Sequence, residues 1–347
     1  MRRGKKLKVG VIGLGMGRAH ITGFQGHPGA EVVALADPNE GRLVQTGKEF
    51  KVAALYADGE EMISKESLDI VSVAVPNKFH KPLTIAALNA GCHVLCEKPM
   101  AMNAGEARQM LAAARKEKRR LMINFSFRFT PQSWAMKKEV DGGALGDIYY
   151  ARTVWMRRRG MPGFGGWFGQ KAMAGGGPLI DLGVHRIDLA LWLMGYPKAT
   201  WVLGSTYDHI ASAVARKQKK AFDVEDLAVA LVKFENGATL AIEASWAGNI
   251  KENELMETRL LGTKGGLLQR NLDEGYRFDF ELFLEKNGAQ YDMKPHNLPA
   301  VSGSMGHFAD CILNNKPNTA TGEEGLMVMQ LLDAIYESAR KGAPVKV

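Results

Sequence analysis

Cysteine is scarce in this chain: 347 residues hold only Cys92, Cys96 and Cys311. Three thiols give no disulfide framework, so the expected setting is reducing and cytoplasmic. Cys92 and Cys96 are spaced CxxxC inside an apolar, strand-like run, where buried packing outweighs metal binding. Long apolar runs are missing too. None approaches the roughly 20 residues needed to span a bilayer, so no membrane partner is expected. The opening MRRGKKLKVGVIGLGMG imitates a signal peptide, basic and then apolar. Its apolar part is glycine-rich, Arg18 and His20 follow at once, and no small-residue cleavage site is present. It reads as a first strand. Internal repeats, low-complexity tails and HExxH-type metal patterns are also absent.

The net charge of +8 raises the question of nucleic acid. Its sources are scattered over Arg2–Lys8, Arg115–Arg120, Arg157–Arg159 and Lys217–Lys220. No aromatic-interleaved basic stripe accompanies them, so they read as solvated surface and exclude a nucleic-acid partner.

What is present suffices for two domains, each with a real core. In the first third, KVGVIGL, EVVALAD, DIVSVAV and HVLCEK are short β-rich runs separated by helical patterns. Repeated β-α-β units predict a parallel sheet covered on both faces. LMINFSFRF, 121–129, reads as one more strand, and Pro131 marks a break. Beyond about residue 130, long alternating runs take over: DIYYARTVWM, LAVALVKF, ATLAIEASW and FDFELFLE. Glu235-Asn236-Gly237 between two of them signals a hairpin. Helical patterns near 304–314 and 323–341 finish the chain.

Four segments are candidates for chemistry. Gly13-Leu14-Gly15-Met16-Gly17-Arg18 follows the first strand, where a glycine turn lets backbone approach a pyrophosphate at a helix N-terminus. The spacing is GxGxG, one residue short of the usual GxGxxG. Asp37, about twenty residues on at the end of the second strand, is placed to accept from a ribose 2′-hydroxyl and to repel a 2′-phosphate. The order of strand, glycine turn, helix, strand and acid predicts NAD, with NADP disfavoured. Pro76, Asn77 and His80 lie beyond the fourth strand, where ligands of open parallel sheets bind; a plain turn is the alternative. Glu97-Lys98-Pro99 leaves the fifth strand, and an ammonium emerging there needs a task or a partner. It would hold a substrate oxygen, or simply pair with Glu97.

The fourth segment is GGGPLIDLGVHRIDLALWLMG, Gly175–Gly195. At a period of about 3.6, Asp181, His185 and Asp188 share roughly one helix face. A histidine held by a carboxylate is a general base suited to neutral pH. An inert packing helix and a metal site are the alternatives, the latter weak because one helix seldom supplies a whole site.

Taken together, VGVIGLGMGRAH, the EKP-containing run from Val75, NFSFRFTP, the GGG…D…H helix, FENGATLAIEASW and the C-terminal GEEGLMVMQLLDAIYESARKGAPV resemble the glucose–fructose oxidoreductase / inositol dehydrogenase / rhizopine-catabolism (Gfo/Idh/MocA) family nearly end to end. The resemblance implies an α/β chain with an N-terminal Rossmann domain, placed at 1–128, and a C-terminal α/β domain, at 129–347, with a large, mostly antiparallel open sheet. It implies a homodimer or homotetramer through that sheet. It makes Lys98, Asp181 and His185 the catalytic set, and sugars, cyclitols and related polyols the substrates. Gly13, Gly15, Met16, Gly17, Arg18, Asp37, Pro76, Asn77, His80, Glu97 and Lys98 are then the cofactor-side candidates. Arg128, Arg157, Trp167 and Asp188 are the substrate-side ones; no metal is called for. The shortened glycine loop leaves the third-glycine role between Gly17 and Arg18.

The expected reaction is NAD-dependent oxidation of a secondary hydroxyl to a ketone, with His185 as base. Two rivals use the same parts: transient oxidation that drives glycosidic elimination, and a regulatory NAD-binding protein without turnover.

Overall fold

In the computed structural model, residues 6–347 are described; the start of the first basic stretch, Arg2 included, lies outside them. The chain divides into two compact units. The first holds residues up to Ser126 together with Ser302–Met329, the second Phe127–Val301 and Gln330–Val347. This differs from a single cut after residue 128 in one respect: a late segment returns to the first unit.

In that unit, β1 (Leu7–Ile12), α1 (Gly17–Gln25), β2 (Ala30–Ala36), α2 (Glu40–Phe50) and β3 (Ala54–Tyr56) form one half. The other half is α3 (Gly59–Lys65), β4 (Ile70–Val73), α4 (His80–Asn89), β5 (His93–Cys96), α5 (Ala104–Lys116) and β6 (Leu121–Ile123). The strands are short and continuously apolar because both faces are covered. Side-chain caps start α2, α3 and α5, where Asn39, Asp58 and Asn103 each accept an amide three residues on. The all-parallel sheet runs β3-β2-β1-β4-β5-β6. Strand order reverses between β1 and β4, the switch point where such sheets bind ligands at their carboxyl ends. The strand expected over 121–129 stops at Ile123. Residues Ser126–Phe129 form a 3₁₀ turn instead, and Thr130 caps the next helix, so the β-rich composition is spent on a corner.

The second unit contains α6 (Pro131–Asp141), β7 (Ile148–Arg157), α7 (Lys171–Ala174), α8 (Val184–Leu193), β8 (Ala199–Tyr207) and α9 (His209–Gln218). Then come β9 (Leu227–Phe234), β10 (Thr239–Ser245), β11 (Glu254–Gly262), β12 (Gly265–Leu272), β13 (Arg277–Lys286) and β14 (Ala289–Met293). Helix α10 (Ser304–Leu313) packs on α1 of the first unit. Helix α11 (Gly322–Lys341) and β15 (Val345–Lys346) close the chain. The nine-stranded sheet runs β14-β13-β12-β11-β7-β10-β9-β8-β15, antiparallel except where β10 lies parallel to β7. Gly237, at φ +86°, makes the expected β9–β10 hairpin.

Strand alternation gives this sheet two different faces. Thr153, Trp155, Met256 and Leu240 are buried on the face toward α8, where Thr153 Oγ1 lies 3.2 Å from the Arg186 carbonyl. On the opposite face Leu203 pairs with Leu231, and these two are 43% and 39% exposed, with Trp201 and Tyr207 also uncovered. Among the described residues, no helix is long and apolar enough to cross a membrane.

Candidate active site

In the first unit the glycine loop sits at the switch point. Gly13 has φ +85°, and a Cβ there would lie 2.3 Å from the Ala74 carbonyl oxygen, so only glycine makes this turn. A Cβ on Gly15 would meet only Arg42 Nη1, at 3.8 Å, so the backbone there is open to close approach. A Cβ on Gly17 would lie 3.0 Å from Val11 Cγ1: Gly17, opening α1, takes the helix-to-strand packing role of a third glycine. Met16 is 64% exposed and gives α1 no side-chain cap. Arg18 turns away from the loop to pair with Glu49 at 2.6 Å.

Asp37 is buried at the end of β2. Its carboxylate accepts the Leu14 and Asn39 amides, each at 2.8 Å, with Arg42 Nη1 3.5 Å away. It therefore fastens the glycine loop to the second strand. The loop and acid thus fit a dinucleotide.

Two cofactor-side candidates are engaged in the protein's own packing. His80 is fully buried, and its two ring nitrogens lie 2.7 Å from the Pro99 carbonyl and 2.8 Å from the Val75 carbonyl. It ties together the loops after β4 and β5 rather than facing a ligand. Glu97 is buried in a polar network: Oε1 lies 2.7 Å from His20 Nε2 and 2.6 Å from Asn124 Nδ2, while Oε2 accepts the Lys98 amide at 3.1 Å. His20 Nδ1 continues the network to Ser72 Oγ at 2.6 Å. Burial alone would raise the Glu97 pKa. The His20 imidazole, the Asn124 amide and the Lys98 charge outweigh it and hold the carboxyl down to about 2. Glu97 is thus an ionised anchor under Lys98, and sequence reasoning missed its partner His20. Lys98 itself leaves the carboxyl end of β5 half-buried, before a cis Lys98-Pro99 peptide. Pro76 leads into a 3₁₀ turn that begins with the buried Asn77.

In the second unit, Asp181 lies in a π turn, Leu179–Gly183, that runs directly into α8. Such turns recur at functional sites. Asp181 Oδ2 accepts the indole N–H of the fully buried Trp246 at 3.0 Å. His185, 8% exposed, packs edge-on against Phe127 at 5.0 Å and tilted against Trp155 at 5.7 Å. Trp155, Trp246, Leu182 and Phe278 belong to one core cluster, so acid and imidazole are set in a rigid apolar wall. Behind it Arg186 is wholly buried, between the Phe127 and Phe278 rings at 4.9 and 4.8 Å, and donates to Gln269 at 2.9 Å. Burial pushes its pKa down to about 9.

Arg157 and Trp155 both donate to Glu254 Oε1 at 2.7 Å, and Arg157 reaches the Tyr276 hydroxyl at 2.8 Å. Arg157 is therefore fixed in the wall rather than left as loose surface. Trp167 stacks on Phe168 at 3.8 Å. Arg128 and Asp188, expected as substrate contacts, are corrected: both have no exposed surface. They form a bidentate ion pair at 2.8 and 2.5 Å, closed by the Tyr196 hydroxyl, which donates to Asp188 at 2.7 Å. A pair so enclosed holds α8 in place and offers a ligand nothing. Among the described residues no cluster of metal-ligating side chains gathers.

Two family profiles of the Gfo/Idh/MocA oxidoreductases match the chain. The NAD-binding Rossmann fold covers residues 7–125 and the C-terminal alpha/beta domain covers 137–347. The chain belongs to the Gfo/Idh/MocA oxidoreductase family. It is an NAD-dependent oxidoreductase. Among similar family members, D-glucoside 3-dehydrogenase of Escherichia coli (strain K12) is 31% identical over 98% of this chain and 97% of its own length. The scyllo-inositol 2-dehydrogenase (NAD(+)) of Bacillus subtilis (strain 168) is 26% identical over 99% and 96%. A solved levoglucosan dehydrogenase in complex with NADH and levoglucosan superposes with a TM-score of 0.88, at 25% identity over 99% of this chain and all of that one.

Proposed function

We propose that this oxidoreductase oxidises a secondary ring hydroxyl of a sugar, cyclitol or related polyol to a ketone, reversibly. The observation that carries this reading is Asp181 and His185 on adjoining turns, the acid fixed by Trp246 and the imidazole by Phe127 and Trp155. The names of the similar dehydrogenases support it, since a glucoside, an anhydrosugar and an inositol are all cyclic polyols.

The Gly13–Gly17 loop and Asp37 would hold NAD, which when bound accepts the hydride of the carbinol C–H bond. The remaining work is done by side chains. The His185 imidazole takes the hydroxyl proton as the C–O bond becomes C=O. Asp181 orients His185 and stabilises the imidazolium formed. The Lys98 ammonium, on a backbone held by Glu97, steadies the substrate oxygen as charge develops on it. Aromatic wall residues offer apolar faces to the ring's C–H groups.

NADH absorbance, followed across sugars, cyclitols and sugar acids with NAD and NADP in parallel, tests this reading. NAD should be preferred, because Asp37 places a carboxylate where a 2′-phosphate would lie; a strong NADP preference would contradict that assignment.

The uncovered sheet face supports a second part of the proposal, self-association through β8 and β9. Large apolar side chains exposed together mark an interaction surface. Leu203→Glu places a carboxylate in that patch and is expected to weaken self-association at least about tenfold. Sedimentation or light scattering would show the shift toward monomer. A wild-type chain already monomeric at micromolar concentration would refute this part.

A further inference from the structure

The segment that carries Asp181 and His185 starts without a cap of its own. Pro178 supplies no side-chain hydrogen bond at its beginning, and a helix start leaves several amides needing acceptors. The acceptor comes from elsewhere in the chain. Glu225, in the approach to β9, is 8% exposed, and its Oε2 accepts the Gly177 amide at 2.9 Å. Its Oε1 accepts the Leu179 amide at 3.2 Å and the Tyr336 hydroxyl, from α11, at 2.8 Å.

Those two residues, Gly177 and Leu179, are the ones that shape the turn. The Gly177 carbonyl accepts the Asp181 amide at 3.1 Å, and the Leu179 carbonyl accepts the amide of Val184, the neighbour of His185. Glu225 thus holds the N–H of each residue whose carbonyl sets the turn. Its negative charge also suits the positive end of the helix. The glycines leave room for the grip. A Cβ on Gly176 would lie 2.0 Å from the Tyr336 hydroxyl, and one on Gly177 would lie 2.0 Å from the Glu225 carbonyl oxygen. The GGGP lead is cut to fit a carboxylate and a phenol.

We propose that Glu225, seconded by Tyr336, is a positioning residue that holds the π turn in register so that Asp181 and His185 present their side chains correctly. This rests on His185 being the base. Neither residue touches the reacting atoms, so the effect belongs in kcat. A misplacement of about 1 Å costs on the order of 10²-fold in rate.

The test compares Glu225→Gln, Glu225→Ala, Tyr336→Phe and His185→Ala on one substrate found in the NADH screen. NADH affinity is measured separately by fluorescence titration. Glu225→Gln keeps one acceptor oxygen but turns an amide N–H toward a donor, so kcat should fall roughly 10-fold. Glu225→Ala should fall about 100-fold, and Tyr336→Phe, losing one donor, about 3-fold. NADH affinity should stay within about twofold throughout, and substrate KM should move less than kcat. Hydrogen exchange in the 176–186 peptide should quicken in Glu225→Gln while the first unit keeps its protection. Glu225→Gln and Tyr336→Phe fold even if the alanine variant does not, because each retains the volume at its site.

Wild-type kcat and exchange in both conservative variants, with His185→Ala inactive, would overturn the positioning role alone. An effect confined to KM would overturn it too. Full turnover in His185→Ala would instead overturn the base assignment, and the exchange result would then decide whether Glu225 still orders the turn.

Discussion

Alanine at His185 is expected to lower kcat about 10²–10⁴-fold, the usual contribution of a positioned general base. The imidazole lies on the α8 wall one turn beyond Asp181, and water reaching the space left by alanine would lack both orientation and basicity. NADH binding should be unchanged, because the glycine loop and Asp37 belong to the first unit and His185 to the second. Stability should fall modestly, since the edge and tilted contacts to Phe127 and Trp155 are lost. Steady-state rates over a pH range make the check sharper: the acid limb attributable to imidazole protonation should vanish with the side chain. Near-wild-type turnover in His185→Ala would reject the assignment.

The second large effect is on stability. Asp188→Ala removes one half of a fully buried ion pair and strands the Arg128 guanidinium among Trp192, Tyr196 and the emptied site. Breaking such a pair costs about 3–5 kcal/mol, mostly the penalty of an uncompensated buried charge. For a unit of this size that corresponds to a lowering of the thermal midpoint by roughly 6–20 °C. Replacing both residues with well-packed apolar ones should cost far less, which separates the stranded charge from the loss of the pair. Calorimetry on the intact chain checks this, with the second unit's transition moving and the first unit's holding still. A shift of a degree or two would mean that water or a rearranged Tyr196 satisfies Arg128, and that the pair is not a structural strut.

The same residue shows where sequence reading stopped. Spacing placed Asp188 in line with Asp181 and His185, assuming an α-helical period throughout. The π turn at Leu179–Gly183 shifts the angular phase between Asp181 and the residues of α8, and Asp188 meets a guanidinium 60 residues earlier in the chain. Periodicity reports which faces are apolar; it carries no information about a charged partner brought in by the fold. Glu225 and Tyr336 were silent for the same reason: their partners are 48 and 111 residues away, across the fold.

What periodicity and turn chemistry control was readable. The parallel sheet of the first unit, the hairpin at Gly237 and the two late helices follow from local pattern, because each is decided by neighbouring elements and their turns. Strand ends were readable as positions, but not as orientations. Lys98 and Glu97 both leave β5 at the carboxyl end, yet Glu97 turns inward to His20 and Asn124. His80 likewise follows β4 at the carboxyl end of the sheet, yet its ring is buried with its nitrogens 2.7 and 2.8 Å from the Pro99 and Val75 carbonyls. Gly17 resolved the short glycine loop only once Val11 was seen beneath it.

The central claim is that this chain moves a hydride from a cyclic polyol to NAD. The most direct measurement is NADH absorbance during incubation with each member of a sugar and cyclitol panel, paired with quantitation of the ketone product. The account predicts that at least one member yields NADH and ketone in equal amounts, with NAD favoured over NADP. Tight NADH binding with no turnover on any member, or glycosidic cleavage without net NADH, would contradict it.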